Sequence, residues 1–253
     1  MPTSSNISDP HVSLGSPDPK KSPTAMNLTV SKENYLKTIA ETESEGEVVI
    51  SASLARSLGV SPPAVTAGLQ RLKRDGMIRT SKGGSLSLTD AGRAIADRVL
   101  RRHHLIERML TEMFAMEWYK VHDEAERLEH AVSEDFEARL MAVLGDSKPC
   151  PHGSIVESDS PNERRKRGWV LLDEVSETGE FVVACVFERD RRLLEFLDRL
   201  ALRPGQKIFW VERLYDETIV LGVKGARIQL GSSATRRIWV KPGGIVRGRR
   251  RRT

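Results

Sequence analysis

The feature that most constrains the fold of this chain is a pair of short amphipathic segments separated by a glycine and followed by an alternating segment. VISASLARSLGV (49–60) carries apolar residues at helical spacing up to Gly59, which predicts a short helix with a glycine C-cap. SPPAVTAGLQRLKRDGMI (61–78) predicts a second helix, with prolines in its first turn. RTSKGGSLSLT (79–89) alternates around two glycines, which predicts a β-hairpin. Together these segments predict a winged helix-turn-helix.

The second of these helices and the hairpin tip carry side chains suited to reading DNA. A glycine between two amphipathic helices is common, so the helix pair alone is weak evidence for DNA binding. Hydroxyl and amide groups can reach base edges or phosphates, while arginine and lysine hold the backbone. The candidate DNA-binding residues are Ser61, Pro63, Thr66, Ala67, Gln70, Arg71 and Lys82.

The net charge of +5 is concentrated at the C-terminus. Five arginines lie within 247–252, and removing them from the 40 basic residues leaves 35, equal to the 35 acidic ones. A basic surface for DNA must therefore come from local clustering in the fold. The tail is either a further phosphate contact or a solubilising segment.

Several classes of protein are disfavoured by composition. The two cysteines, Cys150 and Cys185, are too few for a disulfide framework and too far apart in sequence for a CxxC metal clip. The sequence has neither a long apolar run nor a secretory signal, so we expect a cytoplasmic protein without a membrane segment. Residues 1–27 are rich in proline and serine and predict a disordered leader.

Helical patterns flank the winged motif on both sides. SKENYLKTIAETES predicts a first helix with Ser31 as its N-cap. Residues 89–114 predict a long helix whose apolar surface is too large for the small N-terminal domain to cover. Two shorter helices are predicted from Tyr119 to about Val132 and from about Glu134 to Leu144. We expect these three helices to form a dimerisation unit and the protein to be a homodimer.

The C-terminal part has a different pattern. From Gly145 to about Arg167 the chain is polar and interrupted by prolines, which predicts a linker. Beyond it, WVLLDEV, FVVACVF, KIFWVERL and TIVLGV alternate around one short helical segment, RRLLEFLDRL. This pattern predicts a small SH3-like β-barrel.

A cluster of histidines and carboxylates lies in two of the predicted helices. In VHDEAERLEH, residues 122, 126, 129 and 130 share one helical face, and a second face on the long helix carries a His/Glu pair four residues apart. Imidazole and carboxylate are common ligands of divalent cations. A solvated side-chain pair is the alternative explanation for the long-helix residues alone. The candidate ligands are His103, Glu107, His122, Glu126, Glu129 and His130.

Catalysis by these residues is disfavoured. Metalloproteases use His-Glu-x-x-His or its inverse, and di-iron bundles use Glu-x-x-His. None of these spacings occurs here, and Arg127 stands where the inverted motif needs histidine. We therefore expect no enzymatic activity and no small-molecule substrate. A metal-independent winged-helix regulator is the remaining alternative to a metal-binding one.

The order of winged helix, RRHHLIERML, VHDEAERLEH and a small barrel resembles the diphtheria-toxin-repressor family of metal-activated bacterial transcription factors. The resemblance covers about residues 30–245. It implies a divalent metal as co-repressor, dimerisation through the helical unit, and binding to palindromic double-stranded DNA operators near genes for metal uptake.

The resemblance also implies two metal sites. An ancillary site would use His103, Glu107 and His122 with a barrel ligand, for which Asp190 is expected and Glu188 is the alternative. A primary, activating site would use Glu126, Glu129 and His130, completed by Asn34 from the first helix. In the iron branch of the family a cysteine usually matches Glu126. The carboxylate of Glu126 is a harder ligand than a cysteine thiolate, so the site favours Mn²⁺, with Fe²⁺ as the alternative ion.

The fold class predicted from these patterns is mainly α with a C-terminal β domain. Its expected parts are a disordered leader (1–27), a winged helix-turn-helix domain (28–91), a helical metal-binding and dimerisation domain (92–145), a linker (146–167), an SH3-like β-barrel (168–246) and a basic tail (247–253).

Overall fold

A computed structural model describes residues 28–145, 148–155 and 159–243. The predicted leader and the arginine-rich tail lie outside these residues. The helices are α1 Val30–Ser44, α2 Ser51–Leu58, α3 Pro62–Arg74, α4 Asp90–Glu112, α5 Val121–Leu128, α6 Glu134–Leu144, α7 Pro161–Lys166, α8 Arg191–Arg199 and α9 Ser232–Thr235, with a 3₁₀ turn at Leu172–Glu174. The strands are β1 Ile78–Thr80, β2 Leu86–Leu88, β3 Val170–Leu171, β4 Gly179–Val186, β5 Lys207–Arg213, β6 Ile219–Val223, β7 Ala226–Leu230 and β8 Ile238–Pro242.

The N-terminal elements α1, α2, α3, β1 and β2 form the predicted winged helix-turn-helix. Gly59 ends α2 with φ of 63°, a left-handed conformation that glycine adopts without strain. Strands β1 and β2 pair antiparallel, so that Ile78 faces Leu88. The core beneath them is built from buried residues of α1, α2 and α3, including Leu36, Ile39, Leu54 and Leu72.

Helix α1 begins slightly earlier than its sequence pattern predicts. Its N-cap is Thr29, whose hydroxyl accepts a hydrogen bond from the Lys32 backbone, rather than Ser31. Both residues are good caps, so the pattern alone does not distinguish them. The predicted helix at 119–132 is also shorter, since α5 ends at Leu128.

The long helix α4 links the winged domain to the helical unit. Its N-terminal part packs against α1, and its C-terminal part packs against α5 and α6 over buried Leu105, Ile106 and Leu110. At the start of α4, a Cβ on Gly92 would lie 2.0 Å from the carbonyl oxygen of Met77. A residue without a side chain is therefore needed for α4 to pass this close to the chain that enters the wing.

The C-terminal unit is a six-stranded antiparallel sheet with the order β3-β8-β4-β5-β6-β7. Helix α8 packs its leucines against the sheet, where Leu194 and Leu197 are fully buried with Ile219 and Leu221. Trp118 from the α4–α5 connection also belongs to this core, and its indole N–H donates to Asp198 at 2.7 Å. The helical unit and the barrel are therefore in direct contact.

The described residues of the predicted linker, 148–155 and 159–167, make more side-chain contacts than their polar composition indicates. Ser160 caps α7, and the Arg164 side chain, which is buried, donates to Asp159 at 2.6 Å. Cys150 and His152 are also buried. These contacts compensate for the few apolar residues in the segment. Among the residues that the structure describes, no helix is both long and apolar enough to cross a membrane.

Candidate metal centre

Glu107, a fully buried carboxylate on α4, lies at the centre of the first group of candidate ligand side chains. His103 lies one turn earlier on the same helical face, and its Nε2 atom is 3.1 Å from Glu107 Oε1. His122, in the first turn of α5, brings Nδ1 to 3.3 Å from the same oxygen and to 3.0 Å from His103 Nε2. Helices α4 and α5 therefore bring three of the predicted ligands together.

Residues from the predicted linker and from the barrel extend this group. His152 Nδ1 is 3.3 Å from Glu107 Oε1 and 3.5 Å from Glu188 Oε2. Cys150 Sγ is 3.5 Å from Glu188 Oε2, and His104 Nε2 is 3.8 Å from Glu188 Oε1. We call the group the barrel-side cluster. It comprises His103, His104, Glu107, His122, Cys150, His152 and Glu188.

The barrel-side cluster fits a divalent cation. Glu107 Oε2 and His104 Nε2 are buried and have no hydrogen-bond partner among the described residues. Ligand atoms of His104, Glu107, Cys150 and Glu188 all lie within 4.8 Å of one another. His152 Nε2 lies 2.9 Å from the Trp118 carbonyl, which accepts its N–H and leaves Nδ1 directed at the cluster. This second hydrogen bond is the usual way in which a protein orients a metal-binding imidazole.

Charge is balanced within the cluster by proton binding to histidine. Burial lowers the pKa of His152, but Glu107 and Glu188 outweigh it and raise this pKa to about 10. Burial and Lys37 lower the pKa of His103, and Glu107 and Glu129 raise it to about 9. In return, the histidine charges overcome burial and hold the pKa of Glu107 well below its usual range. A cation bound here would replace these protons.

The pKa of the Cys150 thiol shifts in the direction opposite to that of Glu107. Burial, together with the nearby carboxylates of Glu107 and Glu188, raises its pKa well above the usual range. The sulfur is therefore a protonated thiol at neutral pH unless a cation replaces its proton.

A second group of candidate ligand side chains lies where α1 meets the end of α5. Asn34, Glu126 and Glu129 line a cavity of about 170 Å³. His130 Nε2 lies 2.6 Å from Asn34 Oδ1 and 3.4 Å from Glu129 Oε1. All four residues predicted for the primary site are therefore brought together. With Lys37, described next, we call them the junction cluster.

Lys37 occupies the inner side of the junction cluster. Its ammonium donates to both oxygens of Glu129, at 3.1 and 2.9 Å, and lies 3.0 Å from His103 Nδ1. Burial raises the pKa of Glu129, but hydrogen bonds from His103 and Lys37 outweigh it and lower this pKa to about 2. For Lys37 burial acts in the opposite direction and lowers the pKa, but the carboxylates of Glu41 and Glu129 outweigh burial and raise the pKa of Lys37 above its usual value. Glu129 and Lys37 therefore form a buried ion pair.

The structure does not bring Asp190 to either cluster. Its carboxylate caps α8 by accepting from the Leu193 backbone at 3.1 Å and also accepts from Arg237 at 2.6 Å. Glu188, two residues earlier in the turn between β4 and α8, supplies the barrel carboxylate instead. Glu126 is at the edge of the junction cluster, with half of its side chain exposed.

Four residues in the clusters were not among the predicted ligands: His104, Cys150, His152 and Lys37. A thiol and an imidazole two positions apart, Cys150-Pro151-His152, are the sequence signal for two of them. Lys37 follows Asn34 by three residues and therefore shares its helical face. His104 gives no such signal, because its neighbour His103 already accounts for the ligand expected there.

The predicted DNA-contacting residues belong to α3, to its N-cap and to the β1–β2 hairpin. All of them are exposed: Ser61, Pro63, Thr66, Ala67, Gln70, Arg71 and Lys82. The Thr66 hydroxyl donates to the Pro62 carbonyl at 3.1 Å, so it remains free to accept a hydrogen bond from outside. The arrangement leaves the amide of Gln70 and the charge of Arg71 open to a ligand.

Three family models match successive parts of the chain. Residues 27–86 match the N-terminal DNA binding domain of iron dependent repressors, and residues 89–156 match their metal binding and dimerisation domain. Residues 170–242 match the FeoA domain.

Curated relatives match about half of the chain. The diphtheria toxin repressor of Corynebacterium efficiens is 43% identical over 130 residues, which are 51% of this chain and 56% of that protein. The iron-dependent repressor IdeR of Mycobacterium tuberculosis is 41% identical over 129 residues, again 51% of this chain and 56% of that protein. The chain thus spans just over half the length of these relatives.

Solved structures match over a greater length. The repressor ScaR with bound Zn²⁺ is 30% identical, with a TM-score of 0.71 over 83% of this chain and 99% of that one. A manganese-dependent transcriptional repressor in complex with manganese is 29% identical, with a TM-score of 0.73 over the same shares. With the element order, these matches confirm the predicted fold class, including the SH3-like barrel.

Proposed function

This chain belongs to the diphtheria-toxin-repressor family, and from that membership we propose that it is a transcriptional repressor that binds double-stranded DNA when a divalent metal ion is bound. Members of the family are transcriptional repressors and not enzymes. Its targets would be palindromic operators near genes for metal uptake, and it would act in the cytoplasm.

The observation that carries the proposal is the position of the junction cluster between two units. Asn34 belongs to α1 of the winged domain, whereas Glu126, Glu129 and His130 belong to the helical unit. All four residues would coordinate the same bound cation. These residues then hold α1 at a fixed distance from the dimer axis. In a two-fold dimer this fixes the separation of the two α3 helices, which must match half-sites roughly 34 Å or a multiple apart.

Exposed apolar residues support the homodimer. Met113 and Phe114 follow α4 and are more than half exposed, and Val143 on α6 is 70% exposed. Phe136 on α6 is also exposed. Exposed apolar side chains on neighbouring elements are typical of a protein interface.

The choice of ion rests on the ligand types. The junction cluster offers oxygen from Asn34, Glu126 and Glu129, and one imidazole, which favours Mn²⁺ through ligand hardness. Fe²⁺ is the alternative, because the two ions share these ligand types. The barrel-side cluster adds the Cys150 thiol and is therefore softer. We propose Glu107, Glu188, Cys150 and the surrounding histidines as its ligands, in place of Asp190.

Calorimetric titration of the protein with Mn²⁺ and Fe²⁺ tests the metal dependence. We expect one cation for each cluster, with micromolar or tighter affinity. Glu126→Ala should weaken or remove binding at the junction cluster only. Glu124→Ala is the matched control, since its side chain lies on the same helix and pairs with Arg127. If the wild-type protein gives no binding heat with either ion, the chain is a metal-independent winged-helix regulator.

A further inference from the structure

Lys37 places a fixed positive charge where the junction cluster would receive a metal ion. Its side chain is only 3% exposed, and its ammonium lies within hydrogen-bond distance of Glu129 and His103. Glu126 Oε1 is 3.5 Å from the same nitrogen. The ammonium therefore contacts two of the carboxylates that we propose as ligands.

A divalent cation coordinated by Glu126 and Glu129 would lie beside this ammonium. Two like charges at contact distance in a buried site repel strongly, because the protein interior screens charge less than water does. Glu129 accepts one hydrogen bond from Lys37 on each oxygen, so it could coordinate a metal through its remaining lone pairs only with the ion directly beside the ammonium. Movement of the ammonium away from Glu129 would relieve this repulsion and let the cluster hold the ion more tightly.

Glu41 offers the displaced ammonium a second partner. It lies one turn beyond Lys37 on α1, and its Oε1 atom is 3.7 Å from Lys37 Nζ. This oxygen is buried and has no hydrogen-bond partner among the described residues. A buried carboxylate oxygen without a partner is unfavourable, so it would gain from receiving the ammonium. Both carboxylates therefore lie within 4 Å of the same ammonium, Glu129 at 2.9 Å and Glu41 at 3.7 Å.

We propose that Lys37 is a built-in competitor of the metal, which holds Glu129 in the metal-free protein and transfers to Glu41 when a cation binds. This inference rests on the proposed function and concerns the regulation of the same site. Lys37 lies on α1 and Glu129 follows α5, so the ammonium also joins the two units before metal binds. The lysine thereby sets the metal concentration at which the protein responds, and Glu41 reduces the free energy of the exchange.

Two substitutions with opposite expected signs test the proposal. Lys37→Met keeps an unbranched side chain but removes the charge, so Mn²⁺ should bind the junction cluster at least about tenfold more tightly, equivalent to about 1.4 kcal/mol. Glu41→Gln removes the charge that receives the ammonium, so Mn²⁺ should bind there more weakly. In the double variant the effect of Glu41→Gln should disappear, since no ammonium remains to be transferred.

Affinity would be measured by competition with a fluorescent chelator, using the full chain. Lys120→Met is the control, because its ammonium is at the surface and pairs with Glu117. Thermal melting provides a second measurement. Lys37→Met should lower the melting temperature of the metal-free protein and enlarge the stabilisation by Mn²⁺, including recovery of folding if the metal-free variant is unfolded.

The outcomes separate this inference from the proposed function. If the wild-type chain binds no cation, the proposed function fails. If the wild-type chain binds Mn²⁺ and Lys37→Met binds it with equal or lower affinity, only the competitor role is wrong. Failure of Mn²⁺ to restore folding of Lys37→Met would also overturn the inference, since the ion would then be unable to replace the ammonium.

Discussion

Replacing Glu107 by glutamine is expected to destabilise the metal-free protein by about 3–5 kcal/mol, because removal of one partner from a buried ion pair leaves an uncompensated charge. Glu107 Oε1 lies within 3.3 Å of nitrogens of His103, His122 and His152. With pKa values of about 9 and 10, His103 and His152 carry protons at neutral pH. Glutamine has nearly the same shape as glutamate, so the lost stability reports the contribution of the negative charge.

Chemical denaturation in the presence of a chelator measures this effect, and Mn²⁺ titration measures the loss of binding at the barrel-side cluster. Glu112→Gln is the matched control on the same helix, because its side chain is 41% exposed and pairs with Arg108. It should change stability by no more than about 0.5 kcal/mol. Equal stabilities for Glu107→Gln and the wild-type protein would mean that the cluster is not charge-balanced as described.

Gly92→Ala is expected to lower the free energy of unfolding by about 3 kcal/mol or more, because it disrupts the packing of α4 against the chain that enters the wing. Alanine would gain about 1 kcal/mol of helix propensity over glycine. This gain is smaller than the loss, because the new Cβ would lie 2.0 Å from the Met77 carbonyl oxygen. The carbonyl cannot easily move away, since it accepts a hydrogen bond from the Thr89 backbone at 3.0 Å.

Gly83→Ala provides the comparison for Gly92→Ala. Gly83 lies at the exposed wing tip, where the nearest atom to an added Cβ is Ser81 Oγ at 3.8 Å. Its effect on stability should be within about 0.5 kcal/mol. Thermal melting of the two variants checks the contrast. If Gly92→Ala melts like Gly83→Ala, the close passage of α4 beneath the wing does not exist in solution.

Local patterns predicted the winged helix-turn-helix and the order of the helices well. Gly59 and the two prolines at the start of α3 are residues with strong intrinsic backbone preferences, so they mark boundaries without help from the rest of the fold. The predictions of the N-cap of α1 and of the end of α5 were less accurate. At those positions several residues have similar preferences, and tertiary contacts decide between them.

The barrel ligand could not be predicted in the same way. Glu188 and Asp190 are two residues apart in the turn between β4 and α8, and either carboxylate suits a metal. The carboxylate of Asp190 caps the N-terminus of α8, which is a common role for an aspartate just before a helix. Which of the two faces Glu107 depends on how the barrel packs against α4. That packing is set by contacts distant in sequence, such as Trp118 with Asp198.

Lys37 shows a different limit of sequence reasoning. The helical period places it on the same face as Asn34, but a lysine is normally expected at the surface. Its burial is stable only because carboxylates from two parts of the chain surround it, Glu41 on α1 itself and Glu126 and Glu129 at the end of α5. A charge balance of this kind becomes visible only when the tertiary structure is known.

The most direct test of the central claim is DNA binding with and without metal. A duplex selected from a random pool in the presence of Mn²⁺ would be labelled, and its affinity measured by fluorescence anisotropy at one fixed salt concentration. We predict that a chelator weakens binding by about tenfold to a hundredfold, the usual range of allosteric coupling. Glu126→Ala should bind equally weakly with and without Mn²⁺. Equal affinity of the wild-type protein in Mn²⁺ and in chelator would contradict the account.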